Sequence, residues 1–175
     1  MNQTILLGKN LSELADICID NNFPKFHGEQ LYKWMYQKSM LNIESMSNIP
    51  IKLKQLILED YQINLLDIEK EFKSKSEDTI KYLFRTNDNK LIESVSMIDG
   101  KRHTVCISSQ IGCSVNCDFC ATAKMGFIRN LECGEIIQQI IIISNKRKNP
   151  ITNIVFMGMG EPFLNYNNVI KSCKI

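Results

Sequence analysis

Residues 104–120 read TVCISSQIGCSVNCDFC, and the rest of the chain is organised around this run. Its first part, up to Ile107, is short, apolar and partly β-branched, which predicts a strand. Its second part carries Cys113, Cys117 and Cys120, three thiols within eight residues, on the loop that follows that strand. Thiols this close can wrap one metal centre. Upstream, Leu91 to Ile98 alternates apolar and polar residues, and Asp99-Gly100 separates it from Lys101 to Ile107. Asp-Gly between alternating runs is a strong hairpin signal. Asn87-Asp88-Asn89 divides Leu91 to Ile98 from Ile80, Tyr82 and Phe84, which alternate in the same way, so three antiparallel strands are expected. With Asp99 and Gly100 as the two loop residues, Ile98 lies opposite Lys101 and Glu93 lies opposite Cys106. Directly opposed residues share a face about 5 Å apart, which sets a carboxylate beside a thiol. The alternative is an exposed edge-strand glutamate and a buried cysteine with no joint role, and one bulge would break the register.

Downstream, Leu131 to Ser144 is long enough for a helix, with Ile136, Ile140 and Ile143 on one face and Ile137 and Ile141 beside it. A helix apolar over so much of its girth is well buried. Ile151 to Met157 is a mostly apolar run of strand length that ends in Gly158-Met159-Gly160-Glu161-Pro162. Strand, cysteine loop, helix, strand and glycine-rich loop make a βαβ unit of a parallel sheet. Ligands of such sheets collect at the carboxyl ends of the strands, where both loops fall.

Toward the amino terminus the period changes to that of helices. Residues 1–70 carry apolar stripes at Leu11, Leu14, Ala15 and Cys18, at Leu31, Trp34 and Met35, and at Leu53, Leu56 and Ile57. Pro24, Gly28, Asn48 and Pro50 are expected to break them apart. This segment holds 7 Lys+Arg against 9 Asp+Glu, so its stripes read as the core of a small helical bundle rather than an RNA-binding face. Lys25, Lys33, Lys38, Lys52 and Lys54 still offer a local basic patch, although lysines on exposed helix faces are usually just solvated. The expected domains are 1–75, helical, and 76–175, sheet and cysteine loop.

Composition sets the outer limits. The 175 residues are 44% hydrophobic and 23% charged, ordinary globular usage that argues against disorder, collagen and coiled coil. No apolar run approaches the roughly 18 residues of a membrane helix, and Met1 to Asn10 lacks a basic region followed by an apolar core, so a cytoplasmic protein without membrane contact is expected. A net charge of +2 is too small to argue for nucleic acid. Seven cysteines, an odd number without an export signal, favour metal or redox chemistry over a disulfide framework. Cys18 and Cys173, alone in apolar or mixed surroundings, read as packing residues.

A 4Fe-4S cubane has four irons, so three cysteines leave one iron open to substrate, as a catalytic zinc site keeps an open position. The alternative is structural zinc with a fourth ligand from Cys106, Cys133 or His103, although zinc motifs usually come as paired CxxC units. Gly158 and Gly160 let backbone approach a ligand, and Glu161 can accept hydrogen bonds from an ammonium group.

With Phe119 before the third cysteine, the loop resembles the CxxxCxxC signature of the radical S-adenosylmethionine enzymes. Residues 104–113, 119–131 and 153–165 resemble more narrowly the dual-specificity methyltransferases that act on carbon 2 of adenine in large-subunit ribosomal RNA and transfer RNA; the likeness reaches back through Lys33-Trp34-Met35-Tyr36. A sister family methylates carbon 8 of the same ribosomal adenine, and the wording here is closer to the carbon-2 enzymes. The resemblance implies that Cys113, Cys117 and Cys120 hold a 4Fe-4S cluster whose free iron chelates S-adenosylmethionine, and that Gly160 and Glu161 line that cofactor. It implies that Cys106 forms a transient disulfide with a methyl-carrying cysteine and that Glu93 is the proton acceptor. It also implies ribosomal and transfer RNA substrates and a reducing electron-donor protein. Radical chemistry suits the target, because adenine carbon 2 is not acidic enough for ordinary polar methylation.

The fold class expected is α+β with an α/β part: a small helical domain, antiparallel hairpin strands, then the first two strand-helix units of a radical SAM partial (β/α) barrel. The family's barrel has about six such units. No cysteine here matches the carrier, since Cys173 falls just after the second barrel strand, so a fragment that cannot complete methyl transfer alone is expected. The rival reading is a non-catalytic, metal-stabilised module that binds RNA or protein; another radical SAM enzyme sharing only the cluster loop would not explain Glu93, Cys106 and the Gly158–Pro162 motif together.

Overall fold

The computed structural model describes residues 3–175, which form two compact units, one of residues 3–64 with Ile175 and one of residues 65–174. In the first, β1 (Thr4–Ile5) leads to α1 (Leu11–Asp20). Asn10 and Glu13 form a reciprocal capping box, at 3.0 and 2.7 Å, that satisfies two orphan amides at the start of α1. Next come α2 (Phe26–Tyr32), a π-helical turn over Lys33–Gln37, α3 (Ile51–Asp60) and β2 (Tyr61–Gln62), which pairs in parallel with β1. Leu14, Cys18, Leu31, Met35, Leu53 and Ile57 are all fully buried, so the helical stripes are core; Leu11, in the first turn of α1, is 45% exposed. Gly28 does not break a helix. It lies inside α2, where a Cβ would come within 2.5 Å of the Ala15 backbone nitrogen, so the missing side chain is what lets α1 and α2 approach.

The second unit is built on a five-stranded sheet of β3 (Leu66–Lys73), β4 (Thr79–Thr86), β5 (Leu91–Asp99), β6 (Arg102–Cys106) and a later strand, β9, in that spatial order. Between β6 and β9 lie β7 (Gln110–Gly112), β8 (Phe127–Asn130) and α4 (Cys133–Lys146). β9 (Asn153–Val155) pairs in parallel with β6, every other joint of the sheet being antiparallel, and α5 (Tyr166–Lys174) ends the unit. The period of two in β4 to β6 puts Ile80, Tyr82, Phe84, Ile92 and Val105 on one face, where they share a core with Ile136 and Ile143 of α4 and Val169 of α5. Each such side chain contributes roughly 1.5–3 kcal/mol by leaving water. The opposite face, with Lys81, Leu83, Glu93, Val95, Thr104 and Cys106, is half-buried.

Two expectations about the sheet also differ from the structure. Residues 66–70 are strand, not helix: β3 is a charged edge strand, LDIEKEFK, with a bulge between Ile68 and Lys70, so its alternation is interrupted and its outer edge is blunted by charge. The hairpin loop is Gly100-Lys101 rather than Asp99-Gly100, because Asp99 pairs with Arg102. Gly100, at φ +55°, takes the first loop position, where positive φ matches the turn to the twist of the flanking strands. Cys106 therefore faces Val95, not Glu93.

Candidate active site

The slip in register is two residues, so side-chain parity is kept, and Glu93 and Cys106 still share the half-buried face. Glu93 pairs with Leu83 on one side, and Cys106 stands one diagonal step away on the other, typically about 7 Å. Lys81 on β4 donates to Glu93 Oε1 at 2.9 Å, an ion pair with both side chains more than two-fifths exposed. Burial pushes the Cys106 thiol up, and the backbone amide of Met157 partly offsets this.

The cysteine loop is held by the β7–β8 hairpin. Gly112 pairs with Phe127, and the amide of Cys113 donates to the carbonyl of Gly126 at 3.1 Å. A Cβ on Gly112, which sits at φ +73°, would lie 1.7 Å from that carbonyl oxygen, so only glycine closes the loop there. Within the loop the Cys120 amide donates to the Cys117 carbonyl at 3.0 Å. Cys113, Cys117 and Cys120 are free thiols, each partly accessible. Among the described residues no three His, Cys, Asp or Glu side chains are gathered closely enough to hold a metal ion, so the structure sets the three thiols on one closed loop without bringing them to ligand distance. The donor set nonetheless suits a thiolate-bound centre: the backbone amides of Ala123 and then Thr122 lower the Cys120 thiol toward the thiolate that a metal requires.

His103 is not available to such a centre. It is 1% exposed, with Nε2 against Ser96 Oγ at 2.8 Å and Nδ1 against the Asn149 carbonyl at 2.9 Å. Cys133 is buried at the start of α4.

The glycine-rich segment follows β9, so it and the cysteine loop lie past the carboxyl ends of the parallel pair. Its glycines answer to the chain itself. A Cβ on Gly158 would meet the Ile107 backbone at 2.7 Å, and one on Gly160, at φ +95°, would meet Gln110 Cβ at 2.4 Å. The amide of Glu161 donates to Gln110 Oε1 at 2.9 Å, while its carboxylate caps the following 3-10 turn by accepting from the Phe163 amide at 3.1 Å. Gln110, Asn165 and Gln139, which frame these loops, were not among the expected site residues. A pair of glutamines inside the otherwise apolar helix run IIQQIIII was the available signal.

Residues 4–63 match the family described as Ribosomal RNA large subunit methyltransferase N-terminal domain. A crystal structure of a radical SAM methyltransferase from Sphaerobacter thermophilus superposes with a TM-score of 0.93 and 35% identity, covering 98% of this chain and 51% of that one. The fold is thus that of the amino-terminal half of a radical SAM methyltransferase. Within that class the chain corresponds to the amino-terminal half of the RlmN proteins. It is 41% identical over 173 residues to the probable dual-specificity RNA methyltransferase RlmN of Phocaeicola vulgatus, covering 99% of this chain and 49% of that protein. It is 39% identical over 170 residues to that of Thermotoga maritima, covering 97% and 50%. The chain spans about half the length of the curated relatives it matches.

Proposed function

We propose that this chain supplies the cluster-binding half of a radical S-adenosylmethionine methyltransferase that acts on carbon 2 of adenine in large-subunit ribosomal RNA and in transfer RNA. The observation that carries the reading is the convergence of a closed three-cysteine loop and the Gly158–Glu161 segment beyond the ends of β6 and β9. Cys113, Cys117 and Cys120 would hold a 4Fe-4S cluster, and Gly160 and Glu161 would line S-adenosylmethionine. When bound, that pair of cofactors supplies the radical chemistry that an unactivated adenine carbon demands. The chain's own residues supply position and proton handling. Glu93, on the accessible face of β5 and oriented by Lys81, accepts the proton lost from the adenine carbon, directly or through one water. Cys106, on the same face, offers the thiolate that releases product by forming a disulfide with a carrier cysteine: it attacks the carrier sulfur, the bond from that sulfur to the transferred carbon breaks, and the electron pair leaves with that carbon, which takes up a proton to become the methyl group. The remaining partners are a reducing electron-donor protein and the two RNA substrates, and the expected location is cytoplasmic. Among the described residues no helix is long and apolar enough to cross a membrane.

The test is anaerobic reconstitution followed by addition of S-adenosylmethionine and RNA. A cluster whose signal S-adenosylmethionine perturbs supports the reading. Residues 1–175 alone are expected to stop there, because none of their cysteines matches a methyl carrier. Methylated adenine made by 1–175 alone would show that another residue carries the methyl group, and label in 8-methyladenine would assign the sister chemistry.

A further inference from the structure

Ser108, two residues past the end of β6, is fully buried and held from every side. Gln139 of α4 grips its backbone as a neighbouring strand would: the Ser108 amide donates to Oε1 at 2.8 Å, and Nε2 donates to the Ser108 carbonyl at 3.0 Å. The Ser108 hydroxyl is thereby free to do something else. It donates to the backbone carbonyl of Glu93 at 2.6 Å and accepts from the amide of Met159 at 2.8 Å. One oxygen joins the strand that carries Glu93 to the loop that carries Gly160 and Glu161.

We infer that Ser108 is a positioning residue that holds the Gly158–Glu161 loop and Glu93 in one frame, so that cofactor and proton acceptor are set relative to each other before substrate arrives. The inference rests on the proposed roles of that loop and of Glu93. Its physical basis is the absence of slack. The Met159 carbonyl accepts from the Ser109 and Gln110 amides at 2.9 and 3.2 Å, so both backbone polar groups of Met159 end on residues 108–110. The Gly158 amide donates to the Ile107 carbonyl at 3.1 Å, and neither Gly158 nor Gly160 leaves room for a Cβ against that segment. The loop cannot shift relative to β5 without breaking the Ser108 bridge, and a broken bridge strands buried polar groups. A serine fits because a hydroxyl both donates and accepts, and alanine does neither.

Ser94 provides the matched comparison. It is 1% exposed and donates to the same Gln139 Oε1 at 2.7 Å, and among the described residues no hydrogen bond joins its hydroxyl to the glycine-rich loop. The experiment is amide hydrogen exchange by NMR on residues 1–175. Ser108→Ala is expected to speed exchange at Met159 by about tenfold or more, while Ser94→Ala leaves Met159 within about twofold, although each lowers Tm. In cluster-loaded protein, the S-adenosylmethionine concentration that half-perturbs the electron paramagnetic resonance signal should rise about 5–10-fold in Ser108→Ala and stay put in Ser94→Ala. If Ser108→Ala does not fold, Ser108→Cys, with a weaker donor and acceptor of similar size, takes its place. Met159 exchange that is unchanged in the Ser108 variant, or equally faster in Ser94→Ala, overturns the inference. A wild-type cluster indifferent to S-adenosylmethionine would instead count against the proposed role of the loop, and the exchange rates would still decide whether Ser108 pins it.

Discussion

Arg129 grips Glu135 through both terminal nitrogens, Nη1 to Oε2 at 2.7 Å and Nη2 to Oε1 at 2.8 Å, while its Nε reaches Asp88 Oδ2 at 2.9 Å. Arg129 lies on β8, which returns from the cysteine loop; Glu135 is in the first turn of α4, and Asp88 is in the turn between β4 and β5. One guanidinium therefore anchors the cysteine hairpin to the helix and the sheet. The planar fork suits this bidentate geometry as a lysine ammonium would not.

Replacing Arg129 with Met leaves the Glu135 carboxylate, whose side chain is 7% exposed, without its cation and with only the Glu132 amide, at 2.9 Å, to support it. The expected cost is on the order of 3 kcal/mol, because an uncompensated buried charge is worse than no pair at all. Chemical denaturation of Arg129→Met and of Arg129→Lys checks it. Lysine should recover only part of the loss, and an unchanged midpoint for Met would remove the anchor from the account.

The same cluster sets an acid sensitivity. Arg129, by hydrogen bonding, and then Thr86 hold the Asp88 carboxyl well below the usual carboxylate range. A depressed folded-state value contributes stability that is present above the unfolded value, near pH 4, and is lost as pH falls below it. Tm should therefore fall more steeply from about pH 4 downward in wild type than in Asp88→Asn. Parallel curves for the two proteins would contradict the assignment.

Gly112→Ala is expected to open the cysteine loop. Its Cβ would collide with the Gly126 carbonyl, and φ +73° is costly for alanine. Iron bound per chain after reconstitution should drop at least severalfold, while far-ultraviolet circular dichroism stays close to wild type because the five-stranded sheet is untouched. Full iron uptake would show that the hairpin closure does not matter to the site.

The second unit also presents apolar side chains to solvent: Phe119 is 93% exposed, Met157 79% and Phe163 78%. Among the described residues β9 pairs only with β6, so its other edge is unpaired. Exposed apolar surface beside a free strand edge drives association. Sedimentation should show mass rising with protein concentration, and Met157→Ser with Phe163→Ser should reduce it; a clean monomer at all concentrations contradicts this.

The sheet was legible wherever one face alone is buried. Ile80, Tyr82 and Phe84 alternate because only their side meets α4, and the βαβ crossover showed in a helix apolar over most of its girth. β3 was hidden because an edge strand needs charge more than alternation. The hairpin register differs by two residues from the expected one because Asp-Gly marks a turn without saying whether aspartate lies inside the loop or ends the strand. The cysteine loop announced itself by spacing, but the supports of the site did not. Ser108 and Gln139 act through buried hydrogen bonds between segments 31 residues apart, and no local pattern records such a partnership. Gly160 is expected to let backbone approach a ligand; the closeness of Gln110, which leaves no room for a Cβ, is a second reason for glycine there that the sequence does not show.

Everything proposed for the site depends on Cys113, Cys117 and Cys120 holding one iron-sulfur cluster with an open iron. The most direct test is anaerobic reconstitution of residues 1–175 with iron and sulfide, followed by metal analysis, visible absorbance and low-temperature electron paramagnetic resonance of wild type and Cys117→Ala. The account predicts about four irons per chain in wild type, as a cubane requires, with a signal that S-adenosylmethionine alters and that Cys117→Ala abolishes. Stoichiometric zinc in place of iron, or a cluster that survives Cys117→Ala, would contradict it.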